Sequence, residues 1–138
     1  MTVAREIMTP DPQCVGENET LVDAARMMAS LDVGALPICG EDKRLKGMIT
    51  DRDIVVKCLA QGGDPSTTTA GSLGQGKPVT IGADDSAEEA LETMKRHQVR
   101  RLPVIDGHDL VGIISQADVA LSLTEAETGR TVAEISEE

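Results

Sequence analysis

The amino-acid sequence contains one short phrase twice, and its residue types could bind a small ligand. The phrase GMITDRD spans residues 47–53, and GIISQAD spans residues 112–118. In each copy a hydroxyl side chain precedes an aspartate by three positions: Thr50 and Asp53, then Ser115 and Asp118. The glycine would let another group approach the strand closely, and a helix starting behind it would offer free N–H groups and a positive dipole end. A phosphate or a ribose would suit such a corner.

The same side chains also have a purely structural explanation. A hydroxyl at the N-cap and a carboxylate at the third helical position form a capping box. Thr20 with Asp23, and Ser86 with Glu89, have the same spacing outside the phrase. Capping does not explain the glycine that stands three residues before each hydroxyl. Capping and ligand binding are compatible, and the sequence leaves both open.

The two phrases belong to a longer internal repeat. When the chain is shifted against itself by 66 residues, features match from Ala4 with Ala70 onward. The segment LPI at 36–38 aligns with LPV at 102–104, after which one shorter turn reduces the offset to 65. Such an extended alignment, with a single one-residue change of offset, indicates that the chain consists of two copies of one unit.

Each copy predicts a short strand, a helix, two strands and a closing helix. Leu21, Ala24, Ala25 and Met28 recur at the spacing of one helical face, and Thr20 is a suitable N-cap. The proline inside segment 35–39 predicts an edge or irregular strand there. Segment 45–49 predicts its hairpin partner. The closing helix of the first copy is predicted over 51–59.

These elements predict an α/β (α+β) fold with two repeats packed as a pseudo-two-fold module. A unit of about 60 residues would be marginally stable alone, so we expect the two copies to share a buried face. The predicted boundaries are 1–60 for the first repeat, 61–69 for a linker, 70–123 for the second repeat and 124–138 for an acidic tail that could be mobile.

Composition limits the function. The net charge of −11 and the absence of aromatic residues argue against nucleic acid as a partner. No apolar run is long enough to cross a membrane, and no secretory signal pattern is present, so we expect a cytoplasmic protein. His97 and His108 lack metal-ligand spacing, and no nucleophile–base pair can be proposed. We expect no enzymatic activity, no metal and no required cofactor.

The tandem unit resembles the CBS domain, named after cystathionine β-synthase, in its usual paired arrangement. The resemblance covers residues 3–123 and rests on GALPIC, RRLPVI, GMITDRD and GIISQAD in the same order in both copies. Within the family the chain is most similar to small stand-alone actinobacterial members of the hypoxic-response type. Their segments REIM, CVGE, TDRDIV and HQVRR stand at comparable places.

The resemblance implies a regulatory module that senses an adenosine-containing ligand, such as AMP, ADP, ATP or S-adenosylmethionine. It also implies a flat module with two clefts, a homodimer, an unidentified protein partner and a role in stress response. In the family pattern the aspartate holds the ribose and the hydroxyl lies near the phosphates, which assigns Asp53 with Thr50 and Asp118 with Ser115. The backbone around Leu36 and Ile38, and around Leu102 and Val104, would face the base, which aliphatic side chains would hold.

The two copies differ in charge at the position before the LP segment. Arg101 stands where family members often present a basic residue to phosphate, and Arg100 precedes it. The first copy has Gly34 and Ala35 at these positions. The arginines favour the second copy as the nucleotide site. Alternatively, they belong to a solvated basic stretch that complements a helix C-terminus.

Two of the three cysteines fall on strands that the repeat fold places side by side. A bridge between Cys14 and Cys39 would close a loop of about 25 residues and add about 3 kcal/mol. Cytosolic chains usually keep thiols reduced, so two free thiols or a redox response are the alternatives. Cys58 is expected to be a buried thiol. The alternative function is a ligand-free, dimeric interaction protein that the Cys14–Cys39 disulfide stabilises.

Overall fold

The computed structural model describes residues 1–74 and 78–124. Most of the predicted tail, residues 125–138, lies outside the described part. The helices are α1 (Ala4–Ile7), α2 (Leu21–Leu31), α3 (Asp51–Asp53), α4 (Ala70–Leu73), α5 (Ala87–His97) and α6 (116–124). A π-helical segment (Ile54–Cys58) and a 3-10 turn (Leu59–Gln61) continue α3. The strands are β1 (Thr9–Pro10), β2 (Val15–Gly16), β3 (Ala35–Cys39), β4 (Leu45–Thr50), β5 (Ile81–Gly82), β6 (Arg101–Asp106) and β7 (Asp109–Ser115). The predicted order of strand, helix, strand, strand and helix is confirmed in both copies.

The chain divides into two compact units that differ from the sequence repeats at their edges. The first unit is Pro12–Pro78, and the second unit joins Met1–Asp11 to the chain from Val79 onward. Each repeat therefore packs its leading segment against the strands of the other repeat. Hydrogen bonds fix this exchange: the Ala70 N–H donates to the Glu19 carbonyl at 2.8 Å, and the Arg5 N–H donates to the Ala83 carbonyl at 2.9 Å.

The first unit is built on a three-stranded sheet in the order β2-β3-β4. β2 pairs with β3 in parallel, and β3 pairs with β4 in antiparallel. Of the two predicted possibilities for β3, the edge position is wrong, because this strand is central despite Pro37. The irregular strand is confirmed, because the pairing of β3 with β4 shifts register between Ile38 and Cys39. The proline is tolerated because β2 is only two residues long and pairs with β3 from Ile38 onward.

The second unit repeats this arrangement and adds one strand. Its sheet has the order β1-β7-β6-β5, with β5 parallel and β7 antiparallel to β6. The Arg5 guanidinium of α1 donates a hydrogen bond to the Asp106 carboxylate at 2.9 Å and also contacts Asp84. The hydrogen bond to Asp106, followed by the charge of that group, raises the pKa of Arg5. This exposed ion-pair cluster joins the chain's first helix to the turn of the second repeat.

The apolar side chains form a core within each unit. In the first unit the amphipathic helix α2 packs Leu21, Ala24 and Met28 against the sheet, as its periodicity predicts. In the second unit α5 does the same with Ala87, Ala90 and Met94. Aliphatic and sulfur-containing residues fill both cores. Among the described residues no helix is both long and apolar enough to span a membrane.

The segment predicted as a linker is ordered against the first unit. The Leu21 N–H donates to the Thr68 carbonyl at 3.0 Å, and Thr20 bridges to Thr69. Within the segment the side chain and the backbone N–H of Ser66 both donate to Asp64, and they lower the pKa of that carboxyl. Residues 64–69 therefore accept hydrogen bonds from the first N–H groups of α2, which have no partner within the helix. They also lead the chain toward α4.

Candidate functional site

In the first unit, Thr50 and Asp53 bind each other reciprocally at the start of α3. The Asp53 N–H donates to Thr50 Oγ1 at 3.0 Å, and the Thr50 N–H donates to Asp53 Oδ2 at 3.0 Å. The second oxygen, Oδ1, lies 3.3 Å from Lys57 Nζ one turn along the chain. The capping prediction is confirmed, and the capping box holds a half-buried carboxylate at the end of β4.

The second unit has the same geometry with different neighbours. The Asp118 N–H donates to Ser115 Oγ at 3.0 Å, and the Ser115 N–H donates to Asp118 Oδ2 at 3.0 Å. Arg101 pairs with Ser115 across the antiparallel strands β6 and β7. The Gln116 N–H donates to the carbonyl of Arg100 at 2.8 Å. The structure therefore brings a hydroxyl, a carboxylate and two exposed arginines to one end of this sheet.

The glycine of each phrase lies in close contact with the leading segment of the other repeat. A Cβ added to Gly47 would lie 2.5 Å from the carbonyl oxygen of Gly74, which follows α4. A Cβ added to Gly112 would lie 2.9 Å from the Thr9 carbonyl oxygen and would overlap the side chain of Met8. The expectation that these glycines admit a phosphate or ribose is corrected, because the exchanged leading segments occupy that space.

The four aliphatic residues predicted to face a base are core residues. Leu36 and Ile38 belong to the core of the first unit, and Leu102 and Val104 belong to that of the second. Each is at most 2% exposed. Their side chains hold β3 and β6 against the helices, so at these four positions only the backbone could contact a ligand.

Two charged residues near the first pair were missed in the sequence. A Cβ added to Gly34 would lie 3.1 Å from Asp51 Oδ2, and the Asp51 N–H donates to the Gly34 carbonyl at 2.9 Å. Asp51 corresponds to Gln116 in the repeat, so the alignment contained the signal. The second missed residue is Lys57, whose spacing of four residues after Asp53 predicts an ion pair on a helix.

Cys14 and Cys39 form a disulfide in the first unit. The bridge attaches the residue before β2 to the last residue of β3, beside the Gly16–Cys39 strand pair. Cys58 is a free thiol that is 2% exposed, as expected for a buried cysteine. Of the alternatives that the sequence leaves open for Cys14 and Cys39, the structure contains the bridge.

An open depression of about 380 Å³ lies on the first unit next to the disulfide, since the N–H of its lining residue Glu17 donates to the Cys39 carbonyl at 2.9 Å. It is lined by Glu17, Asn18, Glu41, Asp42 and Lys46. The backbone N–H of Arg44 and the ammonium of Lys46 donate to Asp42 and lower the pKa of its carboxyl. The described ranges 1–74 and 78–124 contain no group of three or more His, Cys, Asp or Glu side chains that could hold a metal ion.

Comparison with known proteins agrees with this repeated architecture. The family model for the CBS domain matches twice, over residues 4–59 and 70–125. The chain is 55% identical to hypoxic response protein 1 of Mycobacterium tuberculosis over 125 residues, which cover 91% of this chain and 87% of that protein. The chain therefore belongs to the CBS-domain family, as a tandem pair.

Solved structures show the same fold. A crystal structure of Hypoxic Response Protein I with two coordinated zinc ions is 55% identical, has a TM-score of 0.82, and matches 87% of this chain and 98% of its own. The CBS domain pair of MJ0100, in complex with 5′-methylthioadenosine and S-adenosylmethionine, has a TM-score of 0.80 at 24% identity, covering 91% and 98%. CBSX2 in complex with AMP has a TM-score of 0.78 at 21% identity, covering 92% and 99%.

Proposed function

We propose that this chain is a non-catalytic regulatory module whose two hydroxyl–aspartate pairs bind adenosine-containing ligands. The observation that carries the proposal is the half-buried carboxylate that each capping box fixes at a strand end. A fixed carboxylate can accept two hydrogen bonds from the vicinal hydroxyls of a ribose without an entropic cost for ordering the side chain. Two proteins of this fold were solved with adenosine ligands, which supports the choice of ligand class.

Calorimetric titration with AMP, ATP and S-adenosylmethionine tests this function. The variant Asp53→Asn with Asp118→Asn keeps an oxygen that can cap the helices but removes both charges. We expect the wild type to bind at least one ligand and the double variant to lose about tenfold or more in affinity, because a hydrogen bond to a charged group is lost.

The matched control is Asp23→Asn. Asp23 caps α2 with the same geometry, accepting from the Thr20 N–H at 3.1 Å, but it lies outside the repeated phrase. This variant should bind as the wild type does. No heat from any ligand at millimolar concentration, or an equal loss in Asp23→Asn, would contradict the proposal and leave capping as the role of the phrase.

A second candidate function is a dimeric interaction protein, in which the disulfide stabilises the first unit. Val55, Val56 and Leu59 are 54%, 41% and 52% exposed on the helical segment after α3. Large apolar side chains grouped in this way are typical of surfaces that contact another protein. We propose that they contribute to a homodimer contact that either function would use.

The dimer contact predicts a change in oligomeric state. The variant Val55→Lys with Leu59→Lys should sediment as a monomer at concentrations where the wild type sediments as a dimer, since two desolvated cations oppose association. Glu92→Lys on the exposed face of α5 changes the net charge by the same two units and should leave the dimer intact. A monomeric wild type would overturn this proposal.

A further inference from the structure

Matching positions around the two hydroxyl–aspartate pairs carry different charges, and this difference bears on what each pair could bind. Before the LP segment the first unit has Gly34 and Ala35, and the second has Arg100 and Arg101. Directly after the hydroxyl the first unit has Asp51, and the second has Gln116. An acidic residue thus stands in the first unit where the second has a neutral amide, and the strand-end arginines of the second have no counterpart.

In the first unit a carboxylate occupies the end of the sheet next to Thr50. Asp51 is held there by its N–H bond to the Gly34 carbonyl, and its Oδ1 accepts from the N–H of Arg52 at 2.8 Å. The Lys57 ammonium lies 3.3 Å from Asp53 and compensates that charge, not the charge of Asp51. A phosphate placed beside Thr50 would meet a like charge at short range.

In the second unit the same end of the sheet is basic. Arg101 stands opposite Ser115 in the strand register, and the Arg100 carbonyl accepts from the N–H of Gln116. The counterpart of Lys57 is Ser122, so Asp118 has no lysine four residues ahead. An exposed arginine opposite a hydroxyl residue in the register, at the strand end that leads into α6, is a favourable arrangement for a phosphate, because a guanidinium can bind it by two parallel N–H bonds.

We propose that the two pairs select ligands by charge. The second unit takes an adenosine phosphate, and the first unit takes an adenosyl ligand whose 5′ group is neutral or cationic, such as a thioether or a sulfonium. This inference rests on the proposed function, because it assigns ligand classes to the same two pairs. A chain of this kind would respond to the ratio of two adenosyl metabolites.

The test uses two probes that share a nucleoside and differ at the 5′ position, AMP and 5′-methylthioadenosine. In calorimetry we expect each to bind at one site per chain, and saturation with one should leave binding of the other in place. Arg101→Ala, which copies Ala35, should weaken AMP about tenfold or more without changing the affinity for 5′-methylthioadenosine. Asp51→Gln, which copies Gln116, should add a second AMP site.

The outcomes separate this inference from the proposed function. If both probes bind but compete for one site, or if Arg101→Ala leaves the affinity for AMP unchanged, charge selection is overturned while ligand binding stands. If Asp51→Gln adds no AMP site, the role of Asp51 is overturned. If neither probe binds, both proposals fail. Circular dichroism of each variant verifies folding before titration, and both substitutions copy residues that the other repeat already tolerates.

Discussion

Reduction of the Cys14–Cys39 disulfide is expected to lower the free energy of unfolding by about 3 kcal/mol. The bridge joins residues 25 positions apart, and opening it returns conformational freedom to that loop in the unfolded chain. Because the sequence contains no Trp, Tyr or Phe, unfolding in urea is best followed by far-ultraviolet circular dichroism. The expected result is a lower midpoint with dithiothreitol, at an unchanged native spectrum.

The second unit explains why the reduced chain should still fold. There Ile81 pairs with Val104, and Gly82 pairs with Ile105, as β2 pairs with β3 in the first unit. The counterparts of the cysteines in this unit are Thr80 and Ile105. The parallel strand contact therefore forms without a covalent bond, and the disulfide adds stability to an arrangement that packing already favours.

A control variant follows from this comparison. The double variant Cys14→Thr with Cys39→Val imitates the second repeat, which has Thr80 and the β-branched Ile105 at these positions. Valine also keeps the side-chain volume at the buried strand end close to that of cysteine. Its midpoint should not respond to dithiothreitol. Equal midpoints for the oxidised and reduced wild type would show that the bridge contributes nothing to stability. A reductant response in the variant would point to Cys58 instead.

Local rules predicted most of the elements and their caps. The spacing of Leu21, Ala24 and Met28 predicts α2 and its buried face, and the Thr50–Asp53 spacing predicts the reciprocal capping bonds that the structure contains. These features depend on residues within one or two helical turns. Periodicity and cap chemistry report such short-range interactions directly.

Features that depend on distant segments could not be predicted in this way. The group that lies against Gly47 is the Gly74 carbonyl, and the group against Gly112 includes Met8, more than one hundred residues away. Nothing local to either glycine indicates these partners. The central position of β3 escaped prediction for a similar reason, since the proline rule does not include the length of the neighbouring strand.

The repeated phrase therefore combines functions that are separable by residue. Its glycine accommodates the exchanged leading segment, and its hydroxyl and aspartate start a helix. Asp51, which lies inside the phrase of the first unit, and Arg101, which lies outside that of the second, are required by neither task. Under the proposed charge selection, these are the positions at which the two units can differ without losing a helix cap or a close glycine contact, which is why the variants Arg101→Ala and Asp51→Gln are informative.

Gly47→Ala is expected to destabilise the chain by about 2 kcal/mol, although alanine is usually preferred to glycine in a strand. The added Cβ would lie 2.5 Å from the Gly74 carbonyl oxygen, a backbone atom that cannot rotate away. The clash must move α4 or β4. Urea unfolding followed by circular dichroism measures the loss.

The control is Gly34→Ala, whose Cβ would meet the terminal carboxylate oxygen of Asp51 at 3.1 Å. That side chain can move, so this variant should keep nearly the stability of the wild type. If Gly47→Ala is also as stable as the wild type, the close approach of Gly74 is wrong, and space for a ligand becomes the better explanation of the glycine. If Gly47→Ala is destabilised but still binds adenosine ligands, the glycine has a structural role, and ligand binding depends on the aspartates.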